Sequence, residues 1–350
     1  MDSFLGFSLL IRTFALIMKR LTPIAITCLL LFFACGQSYE ETKRISRQQR
    51  LETAKKDSSA LKIAVMPTLD CLPFYVAEYY ELLDTLRGGV RLKQYMSQMD
   101  CDTAMERGRV EGTVTDLVRA KRMERRGLKL RYTTVTNAYW QLITNRNSRI
   151  KQLKQLDDKM VAMTRYSATD LLTDHMIDSV KIDKDRVFKV QINDVNVRLL
   201  MLQNNEMDAL WLTEPQATAA RLMKHAVVYD TKKEDLQLGV IVFREKEMQR
   251  QARSQQFELL MNAYNQACDS INKYGVHHYR DLIEKRCHIK PIVVDSLPKS
   301  LKYSHSQGPR EKDLALVEKW LGPVTSKKVD NKTAKGTGKK VKKGKIQRRK

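Results

Sequence analysis

Leu200 to Pro215 reads LMLQNNEMDALWLTEP, and its periodicity changes twice. Asp194 to Asn204 has helical spacing and runs into a polar turn that ends in Asp208-Ala209. Ala209-Leu210-Trp211-Leu212 is an apolar strand. Glu214-Pro215 then opens a helix to about Lys224, with Pro215 suited to the first helical position. A helix, a strand and a helix within so short a stretch point to an α/β architecture.

The pattern continues on both sides. Before it come strands at Leu61–Val65, Val90–Tyr95, Val110–Val114, Leu128–Thr136, Trp140–Thr144, Met160–Met163 and Arg186–Ile192. Helices at Leu72–Leu86, Asp100–Gly108, Asp116–Arg126 and Ala168–Val180 separate them. After it come strands at Ala226–Tyr229 and Leu238–Phe243, a long helix from Ser254 to Tyr274, and shorter helices at His277–Lys285 and Glu311–Trp320. The block order predicts two lobes with largely parallel sheets and crossing connections. Residues 61–138 with 226–322 form the first lobe, and residues 139–225 form the second.

The chain has 350 residues, an apolar fraction of 43% and a formal charge of +23. The charge is unevenly placed. The tail, residues 323–350, is rich in Lys, Gly, Thr and Ser and supplies roughly half of the net charge. That composition predicts disorder. A Lys-rich arm suits anionic lipid or surface polysaccharide, or is simply a solvated extension. No nucleic acid partner is expected of an exported chain.

Residues 1–34 read as an export signal. Met18-Lys19-Arg20 precedes the apolar run Thr22–Ala34, which is too short to cross a bilayer, and Cys35-Gly36 follows. Met18 reads as the functional start of this segment. Residues 35–60 are polar and charged, without apolar periodicity, and read as a linker. Cys71, Cys101, Cys268 and Cys287 remain in the body. In an oxidising compartment they form two disulfides, with Cys71–Cys101 and Cys268–Cys287 as the sequence-close pairing, or stay as buried thiols.

Several of these pieces resemble known families. Cys35 after Ala34 resembles the lipobox of bacterial lipoproteins, in which the cysteine thiol takes a lipid. Leu61-Lys62-Ile63-Ala64-Val65-Met66-Pro67 with Leu72-Pro73-Phe74-Tyr75-Val76-Ala77 resembles the start of the periplasmic substrate-binding proteins of ABC importers, in their nitrate, sulfonate, taurine and thiamine-precursor branch. Met105 to Thr113, Ile150 to Val161, Leu200 to Pro215 and Gly239 to Phe243 follow in that family's order. The likeness spans roughly residues 61–322. Glu111-Gly112 departs from the family's usual acidic-Ala pair, and so does Asp70-Cys71 from its first loop.

The resemblance implies a two-lobed type II periplasmic-binding fold with a ligand cleft between the lobes. In such a fold the ligand meets loops after the carboxyl ends of strands. Thr68, Asp70, Thr113, Thr115, Ser167, Thr169 and Glu214 lie on those loops, and Tyr75, Asn137 and Trp140 lie near them. Ser167 and Thr169 hold an oxyanion at a helix start, or merely cap the helix, as does Thr115. Asp70 meets a cationic ligand or caps the next helix. Glu214 reaches the cleft or complements a helix dipole. Trp140 and Tyr75 offer ring faces, whereas Trp211 reads as core.

No cofactor is expected. Cys268, His277, His278, Cys287 and His288 fit no compact zinc spacing, and neither a Gly-rich phosphate loop nor a serine nucleophile elbow is present. The resemblance implies a lipid-anchored binding protein that delivers a small polar molecule to a membrane permease driven by an ATPase. Two alternatives stay open: an enzyme on the same fold, of the pyrimidine-precursor or carboxylic-acid dehydrating type, and a sensory lipoprotein without a transporter.

Overall fold

A computed structural model of the chain describes residues 39–83 and 89–323. The export signal at 1–34, Cys35 and nearly all of the 323–350 tail lie outside the described residues. No helix among the described residues is long and apolar enough to cross a membrane.

Helix α1 (Tyr39–Ser59) comes first, where the sequence reads as an irregular linker. Its Glu, Lys, Arg, Gln and Ala residues are strong helix formers, so propensity makes a helix without an apolar stripe. The first lobe then alternates β1 (Leu61–Val65), α2 (Leu72–Tyr79), β2 (Val90–Gln94), α3 (Gln98–Glu106), β3 (Gly112–Asp116), α4 (Leu117–Arg125) and β4 (Leu130–Val135). The second lobe holds β5 (Gln141–Thr144), β6 (Lys159–Met163), α5 (Ala168–Ser179), β7 (Val187–Gln191), α6 (Val195–Gln203), β8 (Ala209–Leu212), α7 (Gln216–Leu222) and β9 (Ala226–Asp230). The chain returns through β10 (Gly239–Arg244), α8 (Glu245–Met248) and the long α9 (Gln251–Tyr274). It ends in α10 (Arg280–Cys287), α11 (Pro291–Asp295) and α12 (Glu311–Leu321).

The two sheets share one plan. Their orders are β2-β1-β3-β10-β4 and β7-β6-β8-β5-β9. In each, three strands run parallel, and one reversed strand separates them from the edge. The reversed strands are β10 and β5, by which the chain enters from the other lobe. The carboxyl ends of β1, β3, β6 and β8 consequently point at the gap between the lobes.

One boundary moves. Ala226–Tyr229, assigned from sequence to the first lobe, pairs antiparallel with β5 and closes the second sheet. The return crossing therefore follows Asp230. Alternation marks a strand but does not say which sheet will take its edge.

The LMLQNNEMDALWLTEP stretch folds as its periods require. Asn205 adopts a left-handed backbone after α6, at φ 61°. Asn145 Nδ2 donates to the carbonyls of Leu202 and Met207, which fixes the turn. Asp208 then accepts the Met160 N–H at 3.0 Å, while its carbonyl accepts the Asn145 N–H at 2.7 Å. One aspartate thereby sets β8 between β6 and β5. All four residues of β8 are buried. Trp211 is core, with its indole N–H on Thr173 Oγ1 at 2.8 Å and Tyr229 edge-on at 5.8 Å. The Glu214–Pro215 peptide is cis, and α7 begins one residue after Pro215.

Gly112 explains the departure from the family's acidic-Ala pair. A Cβ there would run into the ring of Phe243 on the neighbouring strand β10. The ring takes the space a methyl group would need, and it packs edge-on against Phe257 of α9 at 5.0 Å. Glu111 keeps its place by accepting the Lys62 N–H at 2.7 Å.

The disulfide pairing suggested by sequence does not form. Cys71, Cys101, Cys268 and Cys287 are all buried free thiols. Each fills a small apolar position, and Cys71 Sγ accepts the Met66 N–H at 3.3 Å. Burial pushes all four thiols up, Cys268 to about 12.

Candidate functional site

The lobes meet along a closed seam. Leu69 N–H donates to the Glu214 carbonyl at 2.9 Å, and Gln216 Nε2 to the Pro67 carbonyl at 3.0 Å. Ser97 and Asp194 form an isolated antiparallel bridge. On the α4 side, the Arg122 guanidinium stacks on the Tyr166 ring at 3.8 Å, and Arg119 reaches the Arg165 carbonyl at 3.5 Å.

Between the lobes lies a chamber of about 60 Å³. Its wall carries Thr68 and Asp70 after β1, Thr115 and Asp116 at the end of β3, and Trp140 on the crossing. The second lobe contributes Thr164, Ser167 and Thr169 after β6, Arg198 on α6, and Thr213 after β8. The chamber has room for a few waters or a ligand of few heavy atoms.

Six of the residues picked out from sequence thus share this chamber: Thr68, Asp70, Thr115, Trp140, Ser167 and Thr169. Four do not. Tyr75 is fully buried beneath the Arg286 guanidinium, and its hydroxyl donates to the Met66 carbonyl at 2.5 Å. Thr113 is buried in mid-strand and bonds the Val114 carbonyl at 3.1 Å. Asn137 and Glu214 line a second chamber on the far side of the crossing. Glu214 caps α7 through Thr218 N at 3.0 Å and pairs with Arg221 at 2.7 Å.

The oxyanion expectation at α5 meets an occupant. Ser167 caps the helix by accepting the Thr169 N–H at 3.1 Å, and its own hydroxyl donates to the Thr164 carbonyl at 2.7 Å. Asp116 accepts the Arg119 N–H at 3.0 Å, and across the seam it faces the Ala168 N–H in the first turn of α5. A carboxylate of the first lobe thus looks onto the start of a helix of the second. Burial lifts Asp116 to about 6, against the pull of the nearby Arg119 charge and the two N–H donors.

Three charged side chains line the chamber, Asp70, Asp116 and Arg198, and none has an ion-pair partner among the described residues. Asp70 keeps some exposure, but desolvation of its carboxyl dominates and raises its pKa, offset in part by the Thr68 hydroxyl and backbone N–H groups. Arg198, which sequence reasoning passed over, is only 3% exposed. Its guanidinium donates to the Ile192 carbonyl at 2.7 Å, the Trp211 carbonyl at 3.0 Å and the Thr164 hydroxyl. Burial lowers it to about 10. It carries five N–H groups, of which these bonds use three. The only signal in the sequence was an arginine inside an otherwise apolar helical run, Val197 to Leu202.

Among the described residues no three His, Cys, Asp or Glu side chains cluster as a metal site.

No curated protein sequence matches the chain. Solved structures do. The alkanesulfonate-binding protein SsuA from Xanthomonas axonopodis pv. citri, bound to MOPS, is similar with a TM-score of 0.61 at 14% identity, over 73% of this chain and 88% of that one. The periplasmic aliphatic sulphonate binding protein SsuA from Escherichia coli gives 0.59 at 15% identity, over 74% and 89%. The periplasmic nitrate-binding protein NrtA from Synechocystis PCC 6803 gives 0.59 at 11% identity, over 71% and 74%. At such identities the likeness establishes the fold, which is that of the periplasmic binding proteins. The family model described as NMT1/THI5 like matches residues 73–274, more than half of the chain, and the chain therefore belongs to that family.

Proposed function

We propose that this chain is the substrate-binding lipoprotein of an ABC importer and that its ligand is a small zwitterion. The observation that carries the ligand class is that unpaired charges of both signs line one chamber, Arg198 against Asp70 and Asp116. A molecule bearing one charge of each sign would satisfy both, whereas a bare oxyanion would leave Asp70 unanswered and would face Asp116 as well. Trp140 offers a ring face to the ligand's apolar part. The fold supports the mechanism, in which the lobes close on the ligand by hinge motion and the closed form docks on a permease that an ATPase drives. The signal ending at Cys35, which would tether the body to a membrane, rests on the sequence alone. What speaks for binding rather than catalysis is the likeness to solved structures that are themselves binding proteins.

The test is mass spectrometry of whatever the gently denatured protein releases, followed by thermal-shift measurements with amino acids, betaines, aminosulfonates, pyrimidines, nitrate and simple sulfonates. A zwitterion should stabilise the protein, and Asp70→Asn and Arg198→Lys should each abolish the shift. Stronger stabilisation by nitrate or an amine-free sulfonate would overturn the ligand class. No stabilising ligand at all would count against import.

A further inference from the structure

The crossing at residues 137–141 alternates its faces. Ala138 and Trp140 line the cleft chamber, while Asn137, Tyr139 and Gln141 line a second chamber of about 310 Å³ on the hinge side. The chambers touch at Asp70, Ala138 and Thr213, which line both. The hinge-side chamber falls within the size range of small-molecule sites, and the cleft chamber does not.

Its polar atoms are mostly acceptors. Asp70 and Asp230 have no ion-pair partner among the described residues. The Asp230 carboxylate receives only neutral donors, Gln141 Nε2 at 2.7 Å and the Lys232 backbone N–H at 2.9 Å. Asn137 Oδ1 is shut off from solvent and so from the open space of the chamber. The ring of Tyr139 completes the wall, and the exposed Lys232 side chain already holds its ammonium 5.7 Å from the ring centre. The remaining cation, Arg221, is committed to Glu214 at 2.7 Å.

We propose that this hinge-side chamber is a second binding site, distinct from the cleft, for an aliphatic ammonium compound. Asp70 and Asp230 would take its charge, and Tyr139 would pack on its chain. Asp70 belongs to the first lobe and Asp230 to the second, so an occupant bridges the lobes and favours the closed arrangement.

The experiment is isothermal titration calorimetry of the intact protein with 1,4-diaminobutane, against butane-1,4-diol as the uncharged control. Saturable one-to-one binding of the diamine and none of the diol is expected. Asp230→Asn should weaken it at least about tenfold, the usual worth of a charge-assisted bond. Tyr139→Ala should weaken it as well, which protects the test against misfolding of either variant. Thr115→Val, on the cleft wall away from the crossing, should leave it unchanged, so failure of the cleft reading and failure of this one are separable. Absence of saturable binding, equal binding of the diol, unchanged affinity in Asp230→Asn, or loss of binding in Thr115→Val would each overturn the proposal.

Discussion

The indole N–H of Trp320 donates to Asp174 at 3.0 Å, and this bond ties the last helix of the first lobe to α5 of the second. Asp174 also pairs with Lys189 at 2.5 Å, so the acceptor is held in place from its own side. Trp320→Phe keeps the packing and removes the donor. We expect the closed arrangement to lose about 1 kcal/mol, roughly a fivefold change in closing equilibrium. Hydrogen exchange at the Ala168 amide, which faces Asp116 across the seam, should quicken accordingly while amides of β1 stay unchanged. An unaltered rate at Ala168 would show that α12 does not hold the seam.

Arg198 ties three acceptors together from inside the second lobe. Arg198→Met leaves the Ile192 and Trp211 carbonyls and the Thr164 hydroxyl short of a donor. The expected loss of stability is about 2–4 kcal/mol by urea unfolding, with Arg198→Lys in between. A cost under about 0.5 kcal/mol would place water, rather than the guanidinium, as the effective partner of these groups.

Asp116 gives stability a pH dependence of definite sign. Its folded value of about 6 lies above the ordinary 3.8, so the folded protein binds the proton more tightly than the unfolded chain. The stability tied to this group is complete below pH 3.8 and is lost as pH rises through about 6. Asp116→Asn retains a capping side chain and cannot titrate. Its melting temperature should therefore change less than that of the parent protein between these two pH values. An identical pH profile in both proteins would sink the assignment.

Gly112→Ala should destabilise the protein by about 1–3 kcal/mol, because the new methyl overpacks against Phe243. Phe243→Leu makes room. The double variant should then be more stable than the sum of the single effects predicts, and denaturant titrations of all four proteins measure that coupling. Simple additivity would mean that the ring of Phe243 is not what excludes a side chain at Gly112.

Most of the fold was legible because its strands are short apolar or alternating runs set between helical spacings. Ala209–Leu212 and Leu61–Val65 could be placed within a residue. The sheet that takes Ala226–Asp230 could not be read, since an edge strand carries no mark of its partner. Helix α1 was missed because it has strong propensity without an apolar face. At the site, hydroxyl and carboxyl residues on loops after strands stood out, and five of them share the cleft with Trp140. Arg198 did not stand out, because a lone arginine on an apolar helix looks like a surface residue until Ile192, Trp211 and Thr164 close around it. The seam roles of Asp116 and Trp320 depend on how the lobes approach, which no local pattern encodes.

The crossing at 137–141 has a mechanical consequence. Trp140 and Thr231 exchange hydrogen bonds at 2.9 and 3.0 Å, so the outgoing and returning crossings form one ribbon. Gly239 lets them lie close, since a Cβ there would meet that of Ala138 at 2.7 Å. The same ribbon is the partition between the two chambers. Any twist that swings the lobes apart must turn that partition, and the volumes on its two sides must change together. The hinge of this molecule is also a diaphragm: pressure on one face is felt on the other.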